Sequence, residues 1–173
     1  MIDNTTVLTI GGGCFWCIET IFKQLKGVEN VVSGYMGGTV PGTPTYREIA
    51  SGLTGHAEVI QVTFNPDIIS YKDLILIFMT SHDPTTLNRQ GADVGTQYRS
   101  VIFYHNENQY EIADEVITIA SEFYEDEIVT EVSKAKVFYP ATPEHQNFYE
   151  KNKGNFYCSV VISPKLSKLK KMY

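Results

Sequence analysis

Cys14 stands directly after three glycines, Gly11-Gly12-Gly13, and before Phe15, Trp16 and Cys17. An apolar run from Val7 to Ile10 precedes the glycines and reads as a short buried strand. Ile18, Ile21, Phe22 and Leu25 follow at helical spacing. Cys14 therefore falls where a glycine turn leaves a strand and enters a helix. Backbone N–H groups and the helix dipole favour an anion at such a place, and the thiolate anion is the reactive form of cysteine. The glycines allow a sharp turn and leave the sulfur accessible. The plainer alternative is an inert, buried cysteine at a strand–helix joint. Cys17 completes a C-x-x-C pair that could cycle through a disulfide; its plainer alternative is a helix residue packed inward.

Other chemistry fits the segment poorly. A phosphate cradle of the G-x-G-x-x-G kind fails because Trp16 occupies the third glycine position, and the G-x-x-x-x-G-K-[ST] order is also missing. Zinc is disfavoured, since one further cysteine and no close histidine pair accompany the C-x-x-C. Two distant segments add acid and hydroxyl groups. Gly55-His56-Ala57-Glu58 puts a carboxyl near the start of a strand with apolar neighbours. A carboxyl in an apolar pocket has a raised pKa and can serve as an acid near neutral pH, although a lone strand Glu is more often exposed. Asp93 to Ser100 closes a long loop in an otherwise economical chain, and long loops are often functional. Tyr46 and Tyr98 can each offer an O–H to a polar oxygen; with 11 tyrosines present, core filling is the competing role.

The elements that must position these groups read as follows. Val28 to Gly34 is a second strand, Thr39 to Pro44 a polar loop, and His56 to Phe64 a third strand. Ser70 with Asp73 resembles a capping box opening a helix through Met79. A loop from Ser81 to Gln97 leads to a strand over Arg99 to Tyr104. Asn106 caps a helix to about Tyr124, a strand covers Ile128 to Phe138, Pro143 opens a short helix, and Val160 to Ile162 forms a last strand. The first six elements run β-α-β-β-α-β, the ferredoxin-like order. The expected fold is α+β: a two-layer sandwich with a mixed sheet and a C-terminal extension.

Bulk properties set the frame. A chain of 173 residues with 43% hydrophobic and 20% charged residues suits a single folded domain over 1–173. The net charge of −6 argues against nucleic acid as the main partner. Lys165, Lys168, Lys170 and Lys171 read as a solvated tail. No apolar run is long enough to span a bilayer, and MIDNTTVLTI lacks the basic start of a signal peptide. Three cysteines, an odd number, point to a reducing cytoplasm rather than to a secreted disulfide framework. Nothing calls for oligomerisation, so a monomer is expected.

Together the segments GGGCFW (11–16), GYMGG (34–38), TYREIASG (45–52), GHAEVIQVTFNP (55–66), HDPTTLNRQGADVGTQYRS (82–100) and PEHQNFYEKN (143–152) resemble peptide methionine sulfoxide reductase, type A. The resemblance spans nearly the whole chain. It implies that Cys14 attacks the sulfoxide sulfur and Glu58 protonates the oxygen. Tyr46 and Tyr98 would hold that oxygen, Phe15 and Trp16 would wall the substrate methyl group, and Asp93 would be a polar pocket residue. It further implies a sulfenic acid on Cys14, then a disulfide reduced by thioredoxin. The substrate would be the S epimer of methionine sulfoxide, free or in oxidised proteins, with no metal or organic cofactor. Repair by one enzyme per epimer is general for methionine sulfoxide. Many members carry glycine where Cys17 stands, and glycine-rich tails where this chain reads Asn155-Phe156-Tyr157-Cys158-Ser159-Val160. Cys158 aligns with a resolving position, with Cys17 as the alternative. Two rival functions remain at this level: a general dithiol oxidoreductase using Cys14 and Cys17, and a non-catalytic binding module with an aromatic cage around Trp16.

Overall fold

Strand β1 (Val7–Gly11) is buried along its whole length, as its run V-L-T-I-G requires of a strand covered on both faces. It sits near the middle of the sheet. The structure, a computed structural model, describes residues 5–152. After β1 come α1 (Phe15–Lys23), β2 (Val28–Met36), α2 (Tyr46–Ala50), β3 (Ala57–Phe64) and α3 (Tyr71–Ser81). The small strands β4 (Arg89–Gln90) and β5 (Asp93–Val94) follow, then β6 (Val101–Tyr104), α4 (Glu107–Ala120), β7 (Glu131–Lys134), β8 (Tyr139–Pro140) and α5 (Phe148–Lys151).

The main sheet has the order β7-β6-β1-β3-β2-β8. Its inner strands, β6-β1-β3-β2, pair antiparallel throughout, which is the split-βαβ arrangement. The parallel β6–β7 pair makes the sheet mixed. Period-two alternation sorts side chains to two faces. Leu8, Ile10, Tyr35, Ile60 and Ile102 join a large core cluster with Phe22 of α1, Phe78 of α3 and Val116 of α4. Met36, Ala57, Val59, Val101 and Phe103 form a smaller cluster with Ala135 and Phe138. The α+β sandwich is therefore as expected, with the helices on one face.

Local signals explain the helix starts. Ser70 Oγ accepts from Asp73 N at 3.0 Å and the Asp73 carboxylate accepts from Ser70 N, a complete capping box. Asn106 Oδ1 accepts from Gln109 N at 2.9 Å to cap α4. Gly27, with φ +99°, turns the chain after α1.

Three elements differ from the sequence reading. The strand expected over 128–138 shrinks to β7, beside β6, and the chain then crosses to the opposite edge to form β8, beside β2, just past that range. Ala135 N bonds Tyr104 O at 2.9 Å, and Ala135 and Phe138 then cover the second face of the sheet. The apolar residues there pack under the sheet instead of extending it. α2 falls where no element was expected, although Thr45 and Glu48 form a complete capping box that the sequence displays. β4 and β5 form a small antiparallel hairpin inside the long loop. The strand expected at Val160–Ile162, and Cys158, lie outside the described residues. Among those residues no helix is long and apolar enough to cross a membrane.

Candidate active site

The glycine turn is held from three sides. Gly11 ends β1, and a Cβ there would lie 2.5 Å from the Glu58 carbonyl oxygen, so only glycine permits β3 to approach this closely. A Cβ on Gly12 would meet the His82 ring at 2.8 Å. That ring stacks on Phe78 and reaches Ser100 Oγ at 2.7 Å. Gly13 has φ +84° and donates its N–H to the Tyr98 carbonyl at 3.0 Å. The same turn thus places Cys14 and draws the 3-10 turn Thr96–Tyr98 against it.

Cys14 occupies the N-cap position of α1 with extended backbone angles, φ −66° and ψ 130°. It is 6% exposed. Cys17 lies in the first helical turn, buried, its N–H bonded to the Cys14 carbonyl at 3.1 Å. The first helical N–H, of Phe15, does not face solvent: it donates to Glu58 Oε1 at 3.2 Å. Glu58 comes from β3 and is fully buried. Its second oxygen, Oε2, has no hydrogen-bond partner among the described residues. Burial pushes its carboxyl up to about 8, helped by the charge of Asp93 and opposed by the Phe15 N–H and the Cys14 side chain. At neutral pH this carboxyl is largely protonated and can give up a proton beside the sulfur.

Tyrosines surround the pair. Tyr46 is the first residue of α2, brought in by the Thr45 capping box. Burial, then the charges of Glu58 and Cys14, raise the hydroxyls of Tyr46 and Tyr98 above the ordinary tyrosine value. Both remain neutral donors. Asp93, on β5, bears on Tyr98 as well as on Glu58. Phe15 is fully buried and packs on Tyr46 with ring centroids 6.2 Å apart. Trp16 is half-buried and stacks on Phe148 at 3.7 Å. The structure thus gathers Cys14, Phe15, Trp16, Tyr46, Glu58, Asp93 and Tyr98 at the start of α1, with Cys17 one turn behind.

Four further residues escaped the sequence reading. His145 stacks on Tyr46 at 4.2 Å and lies 5.9 Å from Trp16, completing an aromatic wall. Burial holds its imidazole below the usual histidine value, and the carboxylate of Glu144 opposes that shift. Phe148 covers the Trp16 face. Gln146 pins this segment: its Oε1 accepts from Ser33 N at 2.9 Å, and its Nε2 donates to Ser33 O at 2.8 Å and Ala141 O at 3.0 Å. Tyr35, on β2, lies against Phe15 at 5.6 Å. PEHQNF was visible as a motif, but only the return of the chain to the edge of β2 shows what it touches.

Comparisons with known proteins match this arrangement. The family model for peptide methionine sulfoxide reductase matches residues 6–173. The peptide methionine sulfoxide reductase MsrA of Saccharolobus solfataricus is 53% identical over 167 residues, 96% of this chain and 94% of that protein. The crystal structure of Mxr1 from Saccharomyces cerevisiae in reduced form superposes with a TM-score of 0.84 at 31% identity, covering 91% of this chain and 92% of that one. A structure of the same yeast protein in complex with Trx2 shares the fold, with a TM-score of 0.61 at 23% identity, covering 86% and 88% of the two chains.

Proposed function

The chain belongs to the peptide methionine sulfoxide reductase family, and from that premise we propose how its site reduces methionine sulfoxide to methionine. The Cys14 thiolate attacks the sulfoxide sulfur while Glu58 gives its proton to the sulfoxide oxygen. The oxygen passes to Cys14 as a sulfenic acid, and methionine leaves as the thioether. Two electrons move from the cysteine sulfur to the sulfoxide sulfur, and Glu58 is left as a carboxylate. Tyr46 and Tyr98 donate to the oxygen as it gains charge, the electrostatic role of a preorganised donor pair. Phe15 and Trp16 wall the methyl group, and Asp93 is a polar residue of the pocket. The observation that carries this reading is the fully buried Glu58 carboxyl, which accepts the Phe15 N–H at the start of the helix that Cys14 caps.

A second thiol then attacks the sulfenic sulfur, forming a disulfide and expelling water. Cys158 is assigned that role, and a thioredoxin reduces the disulfide, as the yeast relative's complex with Trx2 supports. A second reading gives the role to Cys17, favoured by its place in the first helical turn with its N–H on the Cys14 carbonyl. Thiols supply all the electrons, so the reaction needs no metal or organic cofactor. The substrate is the S epimer, free or in oxidised proteins. The chain acts as one domain and as a monomer, in a reducing cytoplasm where such dithiols are recycled.

Mixing the reduced enzyme with a methyl sulfoxide substrate, without reductant, tests the scheme. One sulfide per chain with loss of two thiols is expected, and no sulfide from Cys14→Ser. Cys158→Ser should make one sulfide and then fail to cycle with thioredoxin. If Cys158→Ser cycles while Cys17→Ser stalls, Cys17 is the resolving residue. If the unmodified enzyme forms no sulfide, the function itself is wrong.

A further inference from the structure

Tyr35 and Glu58 are directly opposite each other on the paired strands β2 and β3, so their side chains leave the sheet on the same face. Both are buried, at 2% and 0% exposure. Each also holds an oxygen with no hydrogen-bond partner among the described residues: the Tyr35 Oη, and the Glu58 Oε2 left over after Oε1 takes the Phe15 N–H. One is a donor and the other an acceptor, yet they do not bond each other. Buried polar groups are nearly always satisfied, by protein or by ordered water. Phenylalanine would fill the same space against Phe15 without carrying an unsatisfied hydroxyl.

We infer that Tyr35 is a positioning residue for the acid: its hydroxyl donates, through one buried water, to Glu58 Oε2 and steadies the carboxylate that forms when Glu58 has given up its proton. The inference rests on the sulfoxide-reductase reading, and it adds a hydroxyl behind the acid to the two in front of it. The Tyr35 environment agrees, because burial first, and then the charges of Glu58, Cys14 and Glu144, keep its hydroxyl protonated well above neutral pH. It is therefore a standing donor in every protonation state the reaction visits. Glu144 is exposed and Cys14 lies at the start of α1, which leaves Glu58 as the buried acceptor opposite Tyr35 within the sheet.

Tyr35→Phe removes the hydroxyl and keeps the ring. A donor to a carboxylate favours the charged form, so its loss raises the pKa of Glu58 and makes it a weaker acid. First-turnover sulfide formation at neutral pH should fall roughly ten-fold, and its alkaline limb should move up by about one pH unit, the loss of one hydrogen bond to a charged group. KM should change little. In a Glu58→Gln background the same substitution should cost nothing, because the acid through which Tyr35 acts is gone. A merely structural Tyr35 would lower both backgrounds alike and leave the pH limb in place, which would overturn the assignment. Unmodified enzyme carrying 13Cζ-labelled tyrosine gives a second test that needs no variant to fold. The Tyr35 resonance should move as Glu58 titrates, and a flat resonance would overturn the coupling. Failure of the unmodified enzyme to form sulfide would sink the reductase reading instead, so the two failures are distinguishable.

Discussion

At the smallest scale the proposed chemistry turns on one residue, Glu58. A thiolate at a helix start is a nucleophile, but a sulfoxide oxygen is a poor leaving group until it is protonated. In the proposed scheme Glu58 supplies that proton, and burial among apolar neighbours is what keeps its carboxyl protonated. Ile60 and Val62 follow it on the same face of β3, and its carboxyl sits under Phe15. Glu58→Gln keeps the shape and can still bond the Phe15 N–H, but it has no proton to give. First-turnover sulfide formation should slow by ~10²–10⁴-fold, the range of general acid catalysis, with substrate binding nearly unchanged. Stopped-flow mixing with substrate at several concentrations separates the two quantities. An unchanged first-turnover rate would reduce Glu58 to a structural role.

At the scale of elements, the site is a meeting of loops that the sheet brings together. The sequence made β1, the glycine turn and α1 plain, because apolar periodicity and glycine punctuation are local signals. It also made the capped helix α3 plain. It did not reveal α2 or the return of the chain from β7 to β8. Thr45 and Glu48 were a capping signal over a helix only five residues long, too short for periodicity to show. The role of Phe138 as a lid on the second face depends on a contact with Gly34 and Met36, far away in sequence. For the same reason His145 was invisible as a site residue. Gln146 is the device that places it, its side-chain amide pairing with Ser33 as an added strand residue would. Gln146→Ala removes three hydrogen bonds and leaves the buried Ser33 N–H without this partner, which should destabilise the fold by about 1–3 kcal/mol. The aromatic wall should loosen, raising KM for the sulfoxide several-fold more than it lowers the chemical rate. Trp16 is the only tryptophan, so its emission reports the wall directly. A variant with unchanged Trp16 emission and unchanged KM would show that Gln146 does not hold the wall.

For the whole molecule, a buried acid has a thermodynamic consequence that can be read without substrate. Folding raises the Glu58 pKa from 4.5 to about 8. Between those values the unfolded chain releases the proton and the folded chain keeps it. The folded state then binds more protons, so the contribution of this group to stability falls as pH rises through that window. Below the unfolded value both states are protonated and the penalty is absent; above about 8 both are ionised and the penalty has reached its full size. Burial also holds the imidazoles of His56, His105 and His145 below the usual histidine value. They contribute to parent and variant alike, and the difference between the two proteins isolates the carboxyl. Glu58→Gln carries no charge at any of these pH values. Its melting temperature should therefore lie close to that of the parent at pH near 4.5, and rise progressively above it toward pH near 8. Calorimetric scans of both proteins across that window measure the gap. A gap that stays constant with pH would mean that Glu58 titrates as an ordinary exposed carboxyl, and the neutral acid on which the catalytic scheme depends would not exist.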